Sequence, residues 1–347
     1  MCKESTVIIT NSSIAHIEEA QSFYDSIIKS KNFASIFITD NGRHNVRAFS
    51  LSKILNTVNI FKLLDAKRRI KKDNVTKVII TAPIPLLIFL VPYLKYKSIK
   101  VFYTLHEPPI KTRRGFYYMA NNIFHFLFLK FVDVVFFYSE YTKKTFLNSQ
   151  YNFSGKVFVL PLYKFRKKLN RISNFSNRNT ISFVGNMGSN KDIGYVLRIA
   201  KKIPELSFVI AGNGDISQYK EEIESLKNLE LVNRHLSNEE YYSHIDNSLF
   251  VLLPYSSASQ SGVMLDVMCR GAIPVATNTG AFKECIQHGV NGFIFNYETY
   301  CDDFTSLYQS IKTSDIKTIS DNSLVYYNDH FSFVVFHDKF SYFYESV

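Results

Sequence analysis

Short runs of β-branched and aromatic residues recur along the whole chain, and segments with helical spacing separate most of them. In the first half the runs fall at 6–10 (TVIIT), 34–39 (ASIFIT), 77–81 (KVIIT), 100–104 (KVFYT), 133–138 (DVVFFY) and 157–160 (VFVL). The second half repeats the plan at 181–185 (ISFVG), 207–212 (SFVIAG), 229–232 (LELV), 249–254 (LFVLLP), 273–277 (IPVAT) and 293–296 (FIFN). Between them, stretches such as FYDSIIKS (23–30) and FSLSKILNTVNIFKLLDAKRR (49–69) carry apolar residues three and four apart, as helices do. Alternating strands and helices predict an α/β chain with two parallel, doubly wound sheets.

The 347 residues are ample for two domains. Boundaries follow from pattern: an N-terminal Rossmann-like domain over 1–165, a polar linker over 166–180 and a C-terminal Rossmann-like domain over 181–325. The aromatic stretch 326–347 is expected to be a helix packing across the domains. Ser237 followed by Glu240 is a capping box, which starts a helix. Gly271 and Gly289 stand where helices would stop.

Two apolar segments resemble membrane spans. Residues 78–94 (VIITAPIPLLIFLVPYL) are interrupted by Pro83, Pro85 and Pro92, and residues 123–137 contain His125, Lys130 and Asp133. Both read as core segments. The first residues, MCKESTVIIT, carry no leader pattern. Cys2, Cys269, Cys285 and Cys301 form no C-x-x-C pair, which predicts reduced thiols in a cytoplasmic protein and no metal site.

Charge is unevenly divided. Residues 1–170 hold 27 Lys and Arg against 10 Asp and Glu, a balance of +17, whereas residues 171–347 hold 14 against 20, a balance of −6. Basic clusters at 67–72 (KRRIKK), 95–100 (KYKSIK), 111–114 (KTRR) and 166–168 (RKK) would attract an anionic partner or else form a solvated surface. No recognition helix or aromatic RNA motif accompanies them, so nucleic acid is not the expected partner. An anionic membrane face, met peripherally, fits better.

The stretch PYSSASQSGVMLDVMCRGAIPVA (254–276) places small, uncharged polar residues between a strand and a helix. Ligands of doubly wound sheets bind beyond the carboxyl ends of strands. The helix begins near Ser261 and Gly262, so its amides and dipole would favour an anion, and Gly262 would let the backbone approach it. Ser256, Ser257, Ser259, Gln260 and Ser261 supply hydroxyl and amide groups, and Asp266 follows one turn on. A polyol carrying phosphate suits that set. An ordinary capped turn is the plainer reading. In the second stretch, ISFVGNMGSNKDIG (181–194), a Gly- and Asn-rich loop leads to Lys191. It lacks the G-x-G-x-x-G fingerprint of dinucleotide folds and the G-K-S/T end of a phosphate-binding loop.

Taken in order, GN-x4-K at 185–191, VIAGNGD at 209–215, the capping box, LLPYSSASQSGV at 252–263 and GAIPVATNTGAFKECIQHGVNGFIF at 271–295 resemble the retaining family-4 glycosyltransferases. The resemblance covers about 180–300. Before it, YTLHEP (103–108) and FFYSEYTKKTF (136–146) are similar to the family's acceptor-domain segments. It implies the GT-B fold, two Rossmann-like domains facing a cleft, with a nucleotide-sugar held in the C-terminal domain. On this resemblance Gly185, Asn186, Lys191, Gly212, Ser259, Gln260, Ser261, Gly262, Val263 and Asp266 would bind the donor. Lys191 would hold the pyrophosphate, the amides of Ser261, Gly262 and Val263 would face phosphate, and Asp266 would take the ribose hydroxyls. Asn186 stands where the family usually has an arginine. Ala258 stands where it often has an acid, so Ser259 or Gln260 would have to replace that acid. His106 matches a histidine that faces the cleft. Asn11, Ser12, Ser13, Glu107, Arg113 and Arg114 would lie on the acceptor side.

The resemblance therefore implies sugar transfer, with retention and without metal or cofactor, to a saccharide or polyprenyl-linked acceptor. Lys191 and the helix amides would stabilise the departing diphosphate. A nucleotide-sugar epimerase of the same fold and a non-catalytic nucleotide-sugar-binding protein remain as alternatives. Absence of Trp, with abundant Lys, Asn, Ile, Phe and Tyr, fits a bacterial gene of low GC content, and by association surface polysaccharide assembly.

Overall fold

A computed structural model of the chain describes residues 175–347 without interruption; before them it describes 5–10, 14–30, 32–38, 64, 67–68, 70–71, 74–82, 85–107, 123–149 and 151–163. The chain forms two compact units, one of Met1–Lys167 with Phe333–Val347 and the other of Lys168–Ser332. Every expected run is a strand, with ends within one residue of the expectation.

The first unit holds β1 (Ser5–Thr10), β2 (Phe33–Ile38), β3 (Lys77–Ile80), β4 (Lys100–Thr104), β5 (Val134–Phe137) and β6 (Lys156–Val159), in the order β2-β1-β3-β4-β5-β6. All neighbours are parallel. Val78, Ile79, Ile80, Val134, Val135, Phe136 and Phe137 are fully buried, because a parallel sheet is covered on both faces. Helix α1 (Ile14–Lys29) follows β1, α2 (Val91–Tyr96) precedes β4, and α3 (Glu140–Leu147) follows β5 behind the N-cap Ser139.

The second unit holds β7 (Thr180–Val184), β8 (Ser207–Gly212), β9 (Leu229–Asn233), β10 (Ser248–Leu253), β11 (Ile273–Thr277) and β12 (Phe293–Phe295), in the order β12-β11-β10-β7-β8-β9. These strands are also parallel throughout. From β7 the chain winds outward through β8 and β9, then returns to β10 on the other side. The direction of winding therefore reverses between β7 and β10, and a ligand crevice opens at such a reversal. The helices of this unit are α4 (Ile193–Lys202), α5 (Lys220–Ser225), α6 (Asn238–Asn247), α7 (Gly262–Cys269), α8 (Phe282–Cys285), α9 (Tyr300–Ser310) and α10 (Thr313–Phe331). The Ser237–Glu240 capping box opens α6 as the sequence indicates.

The C-terminal stretch departs from expectation. Residues 326–347 are not one helix: α10 ends at Phe331, Ser332 is extended, and α11 (Phe333–Glu345) begins anew. Phe331 is buried in the second unit, whereas Phe336, Phe340 and Tyr344 are buried in the first. Phe340 packs edge-on against Phe23 of α1 and Phe136 of β5, with ring centroids at 5.0 and 5.9 Å. Lys77 Nζ donates to the Tyr344 carbonyl at 2.8 Å. Among the described residues no helix is long and apolar enough to cross a membrane. The expected helix at 49–69 lies almost wholly outside the described residues.

Truncating a fully buried phenylalanine costs about 3–5 kcal/mol. Phe340→Ala is therefore expected to speed hydrogen exchange in β1 and β5, read by mass spectrometry, and to leave β7 and β10 protected. Equal loosening of both units would contradict the assignment of α11 to the first.

Candidate active site

The site in the second unit starts from two glycines. Gly185 directly follows β7 with φ of 115°, and Gly212 ends β8 with φ of 151°. Their backbones touch: a Cβ on Gly212 would lie 1.9 Å from the Gly185 carbonyl oxygen. Only glycine fits that approach. A Cβ on Gly185 would begin 3.3 Å from Val263 Cγ2 and 3.9 Å from Lys191 Nζ. Gly185, Lys191 and the start of α7, far apart in sequence, thus meet at the point where the winding reverses.

The loops after β7 and β10 are stitched together. Asn190 Nδ2 donates to the Ser257 carbonyl at 3.0 Å, the Ser256 amide donates to the Asn190 carbonyl at 2.9 Å, and the Asp192 amide donates to the Pro254 carbonyl at 3.1 Å. Lys191 Nζ stands 4.9 Å from the centroid of the Tyr255 ring. Asp192 caps α4 by accepting from the Gly194 amide, and it also accepts from the hydroxyls of Tyr219 and Tyr297. These contacts fix the backbone on either side of Lys191.

Ser261 caps α7, its hydroxyl accepting from the Met264 amide at 3.1 Å. The amides of Gly262 and Val263 have no partner within the helix, and the dipole makes this end positive. Ser259 and Gln260 are half-buried beside it, and Asn186 is exposed. Ala258 is buried beneath the following turn, its carbonyl accepting from the Ala281 amide at 2.9 Å. Asp266 is 4% exposed, and its carboxylate accepts from Tyr241 at 3.0 Å and Tyr242 at 3.4 Å, both on α6.

In the first unit, His106 lies just beyond β4 and reaches Glu19 of α1: Nε2 to Oε2 is 2.8 Å. Glu19 is buried and also takes contacts from His16, at 3.4 Å, and from the Tyr138 hydroxyl beyond β5. The His16 and His106 rings meet edge to face at 5.0 Å. Burial alone would push the Glu19 carboxyl up, but the His106 charge and hydrogen bond, with His16, hold it well below the usual range. Burial would likewise lower His106, yet Glu19, Glu107 and the Thr81 backbone outweigh it and raise the imidazole above 6.5. His16, Glu19 and His106 bring their polar atoms within 4.8 Å of one another, and His106 Nε2 and Glu19 Oε2 are the pair at hydrogen-bonding distance. Glu107 is exposed. Asn11, Ser12, Ser13, Arg113 and Arg114 lie outside the described residues.

Sequence reading brought out His106 but not Glu19, His16 or Tyr138. The i, i+3 pairing of His16 and Glu19 was visible, but nothing local tied it to the ends of β4 and β5. Asn190 and Tyr255 were missed for the same reason.

Residues 178–311, most of the second unit, match the family model described as "Glycosyl transferases group 1". No curated protein matches the sequence. Solved structures with similar folds include a sucrose-phosphate synthase from Thermosynechococcus elongatus, at TM-score 0.75 and 12% identity over 99% of each chain. HepE from Anabaena, solved in complex with UDP-glucose, matches at 0.71 and 13% identity, over 99% of this chain and 100% of its own. A glycosyltransferase from Rickettsia africae matches at 0.68 and 16%, over 100% of this chain and 99% of its own. Residues 178–311 are therefore similar to the group 1 glycosyl transferases, and the chain as a whole has the GT-B fold of these solved structures.

Proposed function

We propose that the chain moves a sugar from a nucleotide-sugar to a saccharide or lipid-linked saccharide, with retention of configuration and without a metal. The observation that carries this reading is the meeting of Gly185, Lys191 and the capped start of α7 at the winding reversal. The diphosphate would sit against the Gly262 and Val263 amides with Lys191 beside it, and the ribose would meet Asp266. Charge grows on the departing diphosphate as the glycosidic bond breaks, and fixed donors stabilise it there. The acceptor hydroxyl attacks, and the leaving phosphate takes its proton. HepE binds UDP-glucose, which makes UDP-sugars the first donors to try.

The test is a panel of nucleotide-sugars, read by saturable binding and slow donor hydrolysis. Epimerised product would select the epimerase reading, and binding without turnover would select a binding protein. A hydrogen bond to a charged group contributes about 1.5–3 kcal/mol. Lys191→Ala should therefore lower kcat/KM about tenfold to more than a hundredfold. Lys191→Arg should recover only part, because its fork geometry differs. Lys201→Ala, in the last turn of α4 and exposed, is the silent control. Full activity in Lys191→Ala would place the phosphate elsewhere.

A lipid-linked acceptor would be met at an anionic membrane face on the cytoplasmic side. The +17 balance of residues 1–170 supports this. So do exposed aromatics beside lysines: Phe89 and Tyr96 are 78% and 80% exposed, and Lys97 Nζ lies 5.2 Å from the Tyr96 ring. Lys130 Nζ lies 4.7 Å from the Phe126 ring. Each cation near such a surface contributes about 1 kcal/mol. The protein should sediment with phosphatidylglycerol vesicles at low salt and be released at high salt; no sedimentation at any salt would remove the membrane from the proposal.

A further inference from the structure

Glu19 is a carboxylate taken out of water, and such a group is costly unless it is paired. It is paired from three elements at once. His16 comes from its own helix, His106 from the segment beyond β4, and Tyr138 from the segment beyond β5. All of these stand at the carboxyl ends of strands, where a doubly wound sheet presents its ligand site. Other titratable groups face the pair as well. Tyr103 of β4 feels the Glu19 charge, His125 is hydrogen-bonded to Tyr103 at 3.1 Å, and Glu107 adjoins His106. The His106 side chain is 25% exposed, whereas that of Glu19 is only 5% exposed. The pair therefore shows the histidine to the exterior and keeps the carboxylate behind it.

We infer that Glu19 is a positioning residue: through Nε2 it fixes the His106 ring and keeps it cationic, so that the first unit offers substrate a fixed positive charge rather than a general base. This rests on the glycosyltransferase reading for its purpose, but not for its geometry. Its chemical content is specific. An imidazolium has no lone pair with which to take a proton from an acceptor hydroxyl. With Nε2 held by Glu19 and a second hydrogen bond to the Thr81 backbone, it meets substrate as a charge, suited to an oxygen that is anionic or becoming so. A carboxylate behind a histidine can also serve only to hold two strand ends together; in that case His106 would titrate like an ordinary imidazole, and its loss would affect all pH values alike.

The sign of the pH effect follows from the pairing. A histidine held cationic loses its charge as pH rises through its raised midpoint, so activity that depends on the cation falls on the alkaline side. Glu19→Gln keeps the shape and removes the charge, so that alkaline limb should move to lower pH. The first measurement is a ring-carbon NMR titration of the whole protein without substrate, with the His106 signal assigned by its loss in His106→Asn. In the wild type the midpoint should lie above 6.5; in Glu19→Gln it should fall, while Tyr138→Phe, which leaves the carboxylate, should stay above 6.5. The second is UDP-glucose hydrolysis across pH. Glu19→Gln should lose about tenfold or more in kcat/KM at pH 8 and much less at pH 6, with Glu19→Asp recovering part. A wild-type midpoint at or below 6.5 overturns the assignment without any variant. So does an unmoved midpoint in folded Glu19→Gln, or an equal loss at both pH values. A stoichiometric shift of both His16 and His106 signals on adding zinc would also overturn it, by giving the cluster to a metal. The titration needs no sugar donor, so failure of the donor panel and failure of this assignment are separate results.

Discussion

A parallel strand covered on both faces has little room for chemistry along its length. Its side chains alternate into two apolar layers, and polar groups are tolerated there only when paired. In both units, the polar groups of the candidate site therefore collect at the carboxyl ends, where the strands stop and loops begin. Gly185 and Gly212 show how tight that edge is. The two strand ends cross so closely that one backbone takes the space of the other's side chain. The position of the loop carrying Lys191 follows from that crossing, and the loop in turn holds the one leading into α7.

The two units use the edge differently. The second presents mostly backbone: helix amides, glycine carbonyls and one lysine beside an aromatic ring. Such a surface suits a ligand with phosphate and hydroxyls, since amides do not titrate and need not be desolvated anew. The first presents side chains in a charged relay, with a buried acid behind a histidine. Its net effect depends on proton occupancy, which the second unit's site avoids.

Much of this was legible in the sequence. Twelve strands were readable because each is a short run rich in apolar residues, and most of these runs are buried. The Ser261 cap and the Ser237–Glu240 box were readable because capping is local chemistry. The loops after β7 and β10 were singled out by a resemblance carried by residue order and spacing over 180–300. What was hidden is long-range. Glu19 meets His106 and Tyr138 across 87 and 119 residues, and no local pattern marks such a meeting. The break at Ser332 was hidden for a related reason. The sequence around it, HFSF, continues the aromatic helical spacing without glycine or proline. It breaks because Phe331 and Phe336 are buried in different units.

That return of the chain gives the first unit a discontinuous make-up. Its sheet is encoded before residue 168, yet the aromatic face that covers Phe23 and Phe136 is supplied by residues after 332. The second unit is one continuous stretch of chain and can close its core without α11, whereas the first cannot. Until α11 docks, the apolar surface around Phe23 and Phe136 stays open to water, which leaves the folding chain exposed to aggregation.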